Sequence, residues 1–136
     1  MANMPLSLNH IVITEVLGVG QMATTYRLLE SIEQHKPDLA IQIGIAGCFS
    51  NNIPLGDVMA IETEYMGDVG AEENGSFQSI FDLNLVNENE KPFTNKGLVN
   101  THKDLLDRIQ LKKVVGITVN EISTSSLRIN QYKSTY

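Results

Sequence analysis

Apolar and polar positions alternate along the chain in two periods. His10–Leu17 (HIVITEVL) is a β-branched run that closes on Gly18-Val19-Gly20, the pattern of a strand followed by a tight turn. From Met22 to His35 the apolar residues Met22, Tyr26, Leu29 and Ile32 recur every three or four positions, which predicts an amphipathic helix. Lys36-Pro37-Asp38 ends it, because proline restricts the preceding residue and cannot continue the ladder. Leu39–Ile43 reads as a second strand and ends in Gly44-Ile45-Ala46-Gly47.

Asn51, Asn52, Pro54 and Gly56 form a polar turn ahead of a third strand, Asp57–Thr63. The acidic, glycine-rich Gly67–Gly75 reads as a loop. Phe77–Gly97 has no sustained period and reads as an excursion, with a short helical turn around Ser79–Leu83. Thr101–Ile109 reads as a helix and Lys113–Val119 as a fourth strand. Ser125–Lys133 reads as a helix with a serine cap. Strands separated by helices predict an α/β architecture with a mixed, largely parallel sheet covered on both sides.

Composition narrows the classes of function. The chain has 136 residues, with Lys+Arg 10 against Asp+Glu 16, a net charge of −6. A nucleic-acid or anionic-membrane binder acting through bulk positive charge is therefore not expected. The hydrophobic fraction of 42% is too high for a disordered chain, and no apolar run is long enough to span a bilayer. The N-terminus has no secretory pattern, so a cytoplasmic location is expected. Cys48 is the only cysteine, which excludes an intrachain disulfide and a cysteine-rich zinc site. No activating partner for it is identifiable, so it reads as a small buried residue in a tight turn.

Two glycine turns carry the candidate chemistry. Gly18-Val19-Gly20-Gln21-Met22-Ala23 matches G-x-G-x-x-A between a strand and a helix. One interpretation is a dinucleotide fingerprint, but that needs an acid at the end of the next strand, and Asp38 precedes it. The other is close helix-to-strand packing at a turn. Gly44–Gly47 sits beyond a strand's carboxyl end, where open α/β sheets bind ligands; it is also compatible with an ordinary tight turn. Among the acids, Asp68, Glu72 and Glu73 cluster, either as a ligand or subunit contact or as a solvated loop. His10, His35 and His102 show no ligand spacing.

Taken in order, VLGVGQMATT (16–25), PDLAIQIGIAGCF (37–49), PLGDVMAIETEYMGDVGAE (54–72) and VVGITVNEIS (114–123) resemble the nucleoside phosphorylase/hydrolase superfamily. GDVGAE at Gly67–Glu72 and the following SIFDLNLVNENEKPFTN are most similar to its futalosine hydrolase branch, which serves menaquinone biosynthesis. The resemblance covers nearly the whole chain from His10. It implies a three-layer sandwich around a central mixed, largely parallel sheet. It also implies cleavage of a nucleoside's N-glycosidic bond, without metal or redox cofactor.

By the same resemblance, Ala46 and Gly47 line the sugar and nucleophile region, and Val119, Asn120 and Ile122 belong to the base pocket, with Ile122 against the ring face. Ile122 is equally compatible with a plain core residue. The family's catalytic carboxylates have no counterpart here, so residues 1–136 are expected to be a single incomplete domain lacking the first strand and the C-terminal part. The expected partner is a small-molecule nucleoside. Uncovered apolar faces and strand edges predict self-association as a homo-oligomer. Three alternatives stay open: a methylthioadenosine/S-adenosylhomocysteine nucleosidase, a phosphorylase, and a catalytically inactive fold fragment acting as a binding or assembly module. Phosphorylases carry an arginine after the second glycine turn; Cys48-Phe49-Ser50-Asn51 has none.

Overall fold

A computed structural model describes residues 10–136. The chain divides into two units, Met1–Ile43 and Gly44–Tyr136. Among the described residues the secondary structure is mixed α/β, with a mixed three-stranded sheet and a small two-stranded one.

In the first unit, α1 spans Gln21–His35, close to the predicted helix. It stops at Lys36, which turns left-handed (φ 45°) and returns its N–H to the Ile32 carbonyl before Pro37. Gly18 and Gly20 precede the helix with φ of 97° and 85°, which only glycine adopts without strain. A Cβ on Gly18 would lie 3.4 Å from that of Ala23. That is ordinary van der Waals contact, and a Cβ on Gly20 would meet nothing within 4 Å, so the backbone conformation and not crowding calls for glycine at these two positions. Glu15 in the preceding segment meets His35 at 3.1 Å. Hydrogen bonds from Ser31 and then His35 hold the Glu15 carboxyl below its usual range.

The two strands expected in this unit are not formed. His10–Leu17 and Leu39–Ile43 run outside both sheets, and Ile11 (94% exposed) and Ile43 (87%) face solvent. β-branched content favours an extended backbone, but a strand also needs a neighbour for its N–H and C=O groups. Among the described residues these segments have no ladder partner.

The second unit is built on two strands that the hydrophobic pattern announced. β1 (Met59–Met66) and β5 (Lys112–Thr118) pair in parallel from Met59–Lys112 to Met66–Thr118, with a bulge between Ile61 and Thr63. The short β4 (Leu98–Val99) pairs antiparallel on the other side of β1, giving the order β4-β1-β5. The acidic stretch expected as a loop instead forms a hairpin of β2 (Gly70–Glu73) and β3 (Ser76–Ser79). Its turn residues Asn74 and Gly75 both have positive φ, as a type I′ turn requires.

Ser79–Leu83 forms one hydrogen-bonded turn, with Leu83 N–H on the Ser79 carbonyl. There the Asp82 carboxyl is drawn down to about 2, first by the Ser79 hydroxyl and then by Lys96 at 3.0 Å. Helix α2 spans Lys103–Arg108 and α3 spans Ser126–Thr135. Ser125 is the residue before α3 but makes no side-chain cap; its carbonyl accepts Ile129 N–H. Ala60, Leu106 and Tyr132, one each from β1, α2 and α3, form the buried apolar set among the described residues. Among the described residues no helix is long and apolar enough to cross a membrane.

Candidate functional site at the carboxyl edge of the parallel pair

Because β1 and β5 run in parallel, both deliver their following loops to one edge of the sheet. That edge is where open α/β sheets place ligands. The β1 loop carries Gly67-Asp68-Val69 and the β5 loop carries Val119-Asn120-Glu121-Ile122. Two of the motifs that carry the family resemblance thus meet in space.

Asp68 joins them. Its Oδ2 accepts the backbone N–H of Asn120 at 2.5 Å and that of Glu121 at 2.9 Å. Hydrogen bonds to an ionised acceptor are shorter and stronger than neutral ones, so this is a firm tie between loops 52 residues apart. Oδ1 of the same carboxylate is buried with no partner among the described residues. Behind it, Gly67 N–H donates to the Thr118 carbonyl at 2.9 Å. Gly67 packs beneath Ile117 and Val119: a Cβ there would lie 3.0 Å from the nearer Val119 methyl.

One turn back from the edge, Glu64 is a half-buried acid that the hydrophobic pattern did not single out. Thr118 Oγ1 donates to its Oε1 at 2.6 Å. Its cross-strand partner is Gly116, and a Cβ at that position would stand 2.0 Å from Glu64 Oε2. A glycine facing an acid across a parallel pair is the sequence signal for this site. It becomes readable only once the register is known.

The five residues expected to bind substrate are placed as follows. Val119 is half-buried against Gly67, and Asn120 is held through its N–H by Asp68. Ile122 is 89% exposed. Ala46 and Gly47 are exposed on the strand-free segment that opens the second unit, and a Cβ on Gly47 would meet nothing within 4 Å. Cys48, expected to be buried, is exposed, with Ser50 N–H on its sulfur at 3.3 Å. Among the described residues no cluster of three or more His, Cys, Asp or Glu is arranged to hold a metal ion.

Sequence reasoning also passed over Arg128 on α3. Its guanidinium carbon lies 4.9 Å from the Phe77 ring centroid and 5.4 Å from that of Tyr132. Glu72, from the acidic cluster, reaches it at 4.0 Å. Glu73 is exposed on β2. No family model, curated protein or solved structure matches the chain.

Proposed function

We propose that this chain contributes part of the substrate floor of an N-ribosyl hydrolase of the nucleoside phosphorylase/hydrolase superfamily, acting on futalosine to release hypoxanthine. The observation that carries this reading is the Asp68 tie. It joins the GDVGAE and VNEIS segments, both singled out by the resemblance, at the carboxyl edge of a parallel strand pair. The three-stranded mixed sheet is, on this reading, part of a three-layer sandwich, and the assembly is a cytoplasmic homo-oligomer.

In the reaction, water oxygen adds to the anomeric carbon as the bond to the base nitrogen breaks, and the base leaves with a proton. The ribose passes through an oxocarbenium-like state, which hydrogen-bonding and apolar walls must position. This chain's residues serve binding. Ile122 offers an exposed apolar side chain to the face of the base. Val119 and Asn120 hold the loop beneath it. Ala46 and Gly47 present backbone toward the sugar.

A second reading, a module that binds a nucleoside without cleaving it, has its own support. Asp68 Oδ2 is occupied by two backbone amides, so this oxygen serves to fix a loop.

The test is hydrolysis by the gene product that carries this sequence. Hypoxanthine release from futalosine without added phosphate supports the proposal. Cleavage of methylthioadenosine instead moves it to the sister branch, and a strict phosphate requirement moves it to the phosphorylases. Saturable nucleoside binding with no cleavage of any of these selects the binding module.

A further inference from the structure

The tip of the β2–β3 hairpin is Asn74-Gly75, and Asn74 is the only asparagine in the chain that is followed by glycine. Both residues are exposed, with φ of 52° and 77°. The ladder ends just before them, at Glu73–Ser76. Neither the Asn74 side-chain amide nor the Gly75 N–H has a hydrogen-bond partner among the described residues. A Cβ at Gly75 would meet nothing within 4 Å. The hairpin is a sheet of two strands, so among the described residues no third strand steadies its tip.

Other asparagines of this unit are placed differently. The side-chain oxygens of Asn87, Asn89 and Asn100 accept the backbone N–H groups of Asn89, Asn95 and His102, each at 2.9 Å. Each is followed by a residue with a side chain, Glu88, Glu90 and Thr101 in turn, which crowds the next backbone nitrogen. Gly75 puts no carbon there.

A backbone nitrogen and a side-chain carbonyl are thus uncommitted neighbours on an unobstructed turn, and asparagine is a chemically labile residue. We infer that Asn74 is a site of spontaneous deamidation and that the hairpin responds to the change. The Gly75 nitrogen bonds to the Asn74 side-chain carbonyl carbon and passes its proton, through solvent, to the side-chain nitrogen. The bond from that carbon to the side-chain nitrogen breaks, and ammonia leaves. Water then opens the cyclic imide. Addition at the side-chain carbonyl yields aspartate, addition at the main-chain carbonyl yields isoaspartate, and no oxidant or reductant is consumed.

The two products differ in consequence. Aspartate keeps the turn and adds one negative charge beside Glu72 and Glu73. Isoaspartate puts an extra carbon into the main chain, and a two-residue turn whose length fixes the register no longer fits. Glu72 of β2 and Phe77 of β3 stand opposite each other in the ladder, and both meet Arg128 of α3. Isoaspartate therefore uncouples the hairpin from α3, a one-way change that accumulates with the age of the molecule. The inference does not rest on the nucleoside reading.

The experiment is incubation of the 136-residue protein at mildly alkaline pH without denaturant, followed by peptide mapping with mass spectrometry. The peptide holding Asn74 is expected to gain one mass unit and to split into aspartyl and isoaspartyl forms. Those holding Asn87, Asn89 and Asn100 should keep their mass. Asn74→Gln should abolish the gain. In the purified isoaspartyl form the β2 and β3 amides should lose their protection from hydrogen exchange, and in Asn74→Asp they should keep it. An Asn74 peptide that ages no faster than the other three overturns the site, and this is read on the parent protein without any variant. Deamidation seen only in urea would show that the folded hairpin shields Asn74 and overturns it as well. An isoaspartyl form with its hairpin amides still protected overturns the uncoupling. Nucleoside hydrolysis is read in a different assay, so failure of either proposal leaves the other standing.

Discussion

Asp68 Oδ2 stands 2.5 Å from the backbone nitrogen of Asn120, across a sequence separation of 52 residues. The same oxygen takes the next amide, Glu121, at 2.9 Å. One side chain thus closes the mouth between the loops that follow β1 and β5. Without it, the β5 loop would present two donors to solvent and lose its fixed path beside Gly67.

Replacing Asp68 tests that tie. Asp68→Ala is expected to cost about 1–3 kcal/mol, since two N–H groups lose a charged acceptor. Denaturant titration gives the loss. Amide hydrogen exchange localises it: the Asn120 and Glu121 protons should be protected in the parent and fast in the variant. Equal exchange rates in both would show that the tie does not hold the loop.

Gly116 and Glu64 make a second coupled pair. A Cβ at position 116 would displace the Glu64 carboxylate, which sits 2.0 Å from that point, and so break its bond from Thr118. Gly116→Ala should lose about 1 kcal/mol, mostly through that hydrogen bond. In a Glu64→Ala background the same substitution should cost clearly less. A double-mutant cycle with no coupling would contradict the placement of the acid over the glycine.

The hairpin turn gives a local test. Gly75 has φ 77°, a region that costs an L-residue about 1–2 kcal/mol. Gly75→Ala should lower stability by about that amount, while Ser76→Ala, one residue on in β3, should change it by less. Chemical denaturation of the two variants checks the order.

Asp82 sets an acid-side pH dependence. Its folded value of about 2 lies below its ordinary 3.8, so folding favours the ionised form. The stability it adds is present above about pH 4 and is lost as pH falls through the folded value near 2. The Ser79 hydroxyl is the largest cause and Lys96 follows, so Ser79→Ala should raise the Asp82 midpoint more than Lys96→Met. Carboxyl NMR titration reads the midpoint directly. A midpoint near 3.8 in the parent would contradict the hydrogen-bonded turn.

Some of this architecture was legible in the hydrophobic pattern, and the rest failed for identifiable reasons. β1 and β5 are apolar runs with polar boundaries, and α1 carries a four-three-three stripe, so all three were found within a few residues. His10–Leu17 and Leu39–Ile43 carry equally strong strand composition but have no ladder partner among the described residues. Composition reports the preference for extended backbone and is silent on pairing. The β2–β3 hairpin was missed because GDVGAEENG is acidic and glycine-rich, although Asn74-Gly75 within it is a hairpin signal.

The site was legible only in part. The family resemblance named Val119, Asn120 and Ile122, and the structure puts Val119 beside Gly67 and Asn120 on Asp68. The Asp68 tie and the position of Glu64 over Gly116 depend on register between strands about fifty residues apart, which no local pattern encodes. Arg128 looked like one polar residue in a short helix. Its meaning comes from the two rings that clasp it.

The central claim is that the loops after β1 and β5 form one nucleoside-binding floor, and titration of the labelled protein with inosine tests it most directly. Saturable shifts centred on Gly67–Asp68 and Val119–Ile122, reduced by Asp68→Ala, are predicted. Saturating inosine that leaves those amides unmoved would contradict the claim.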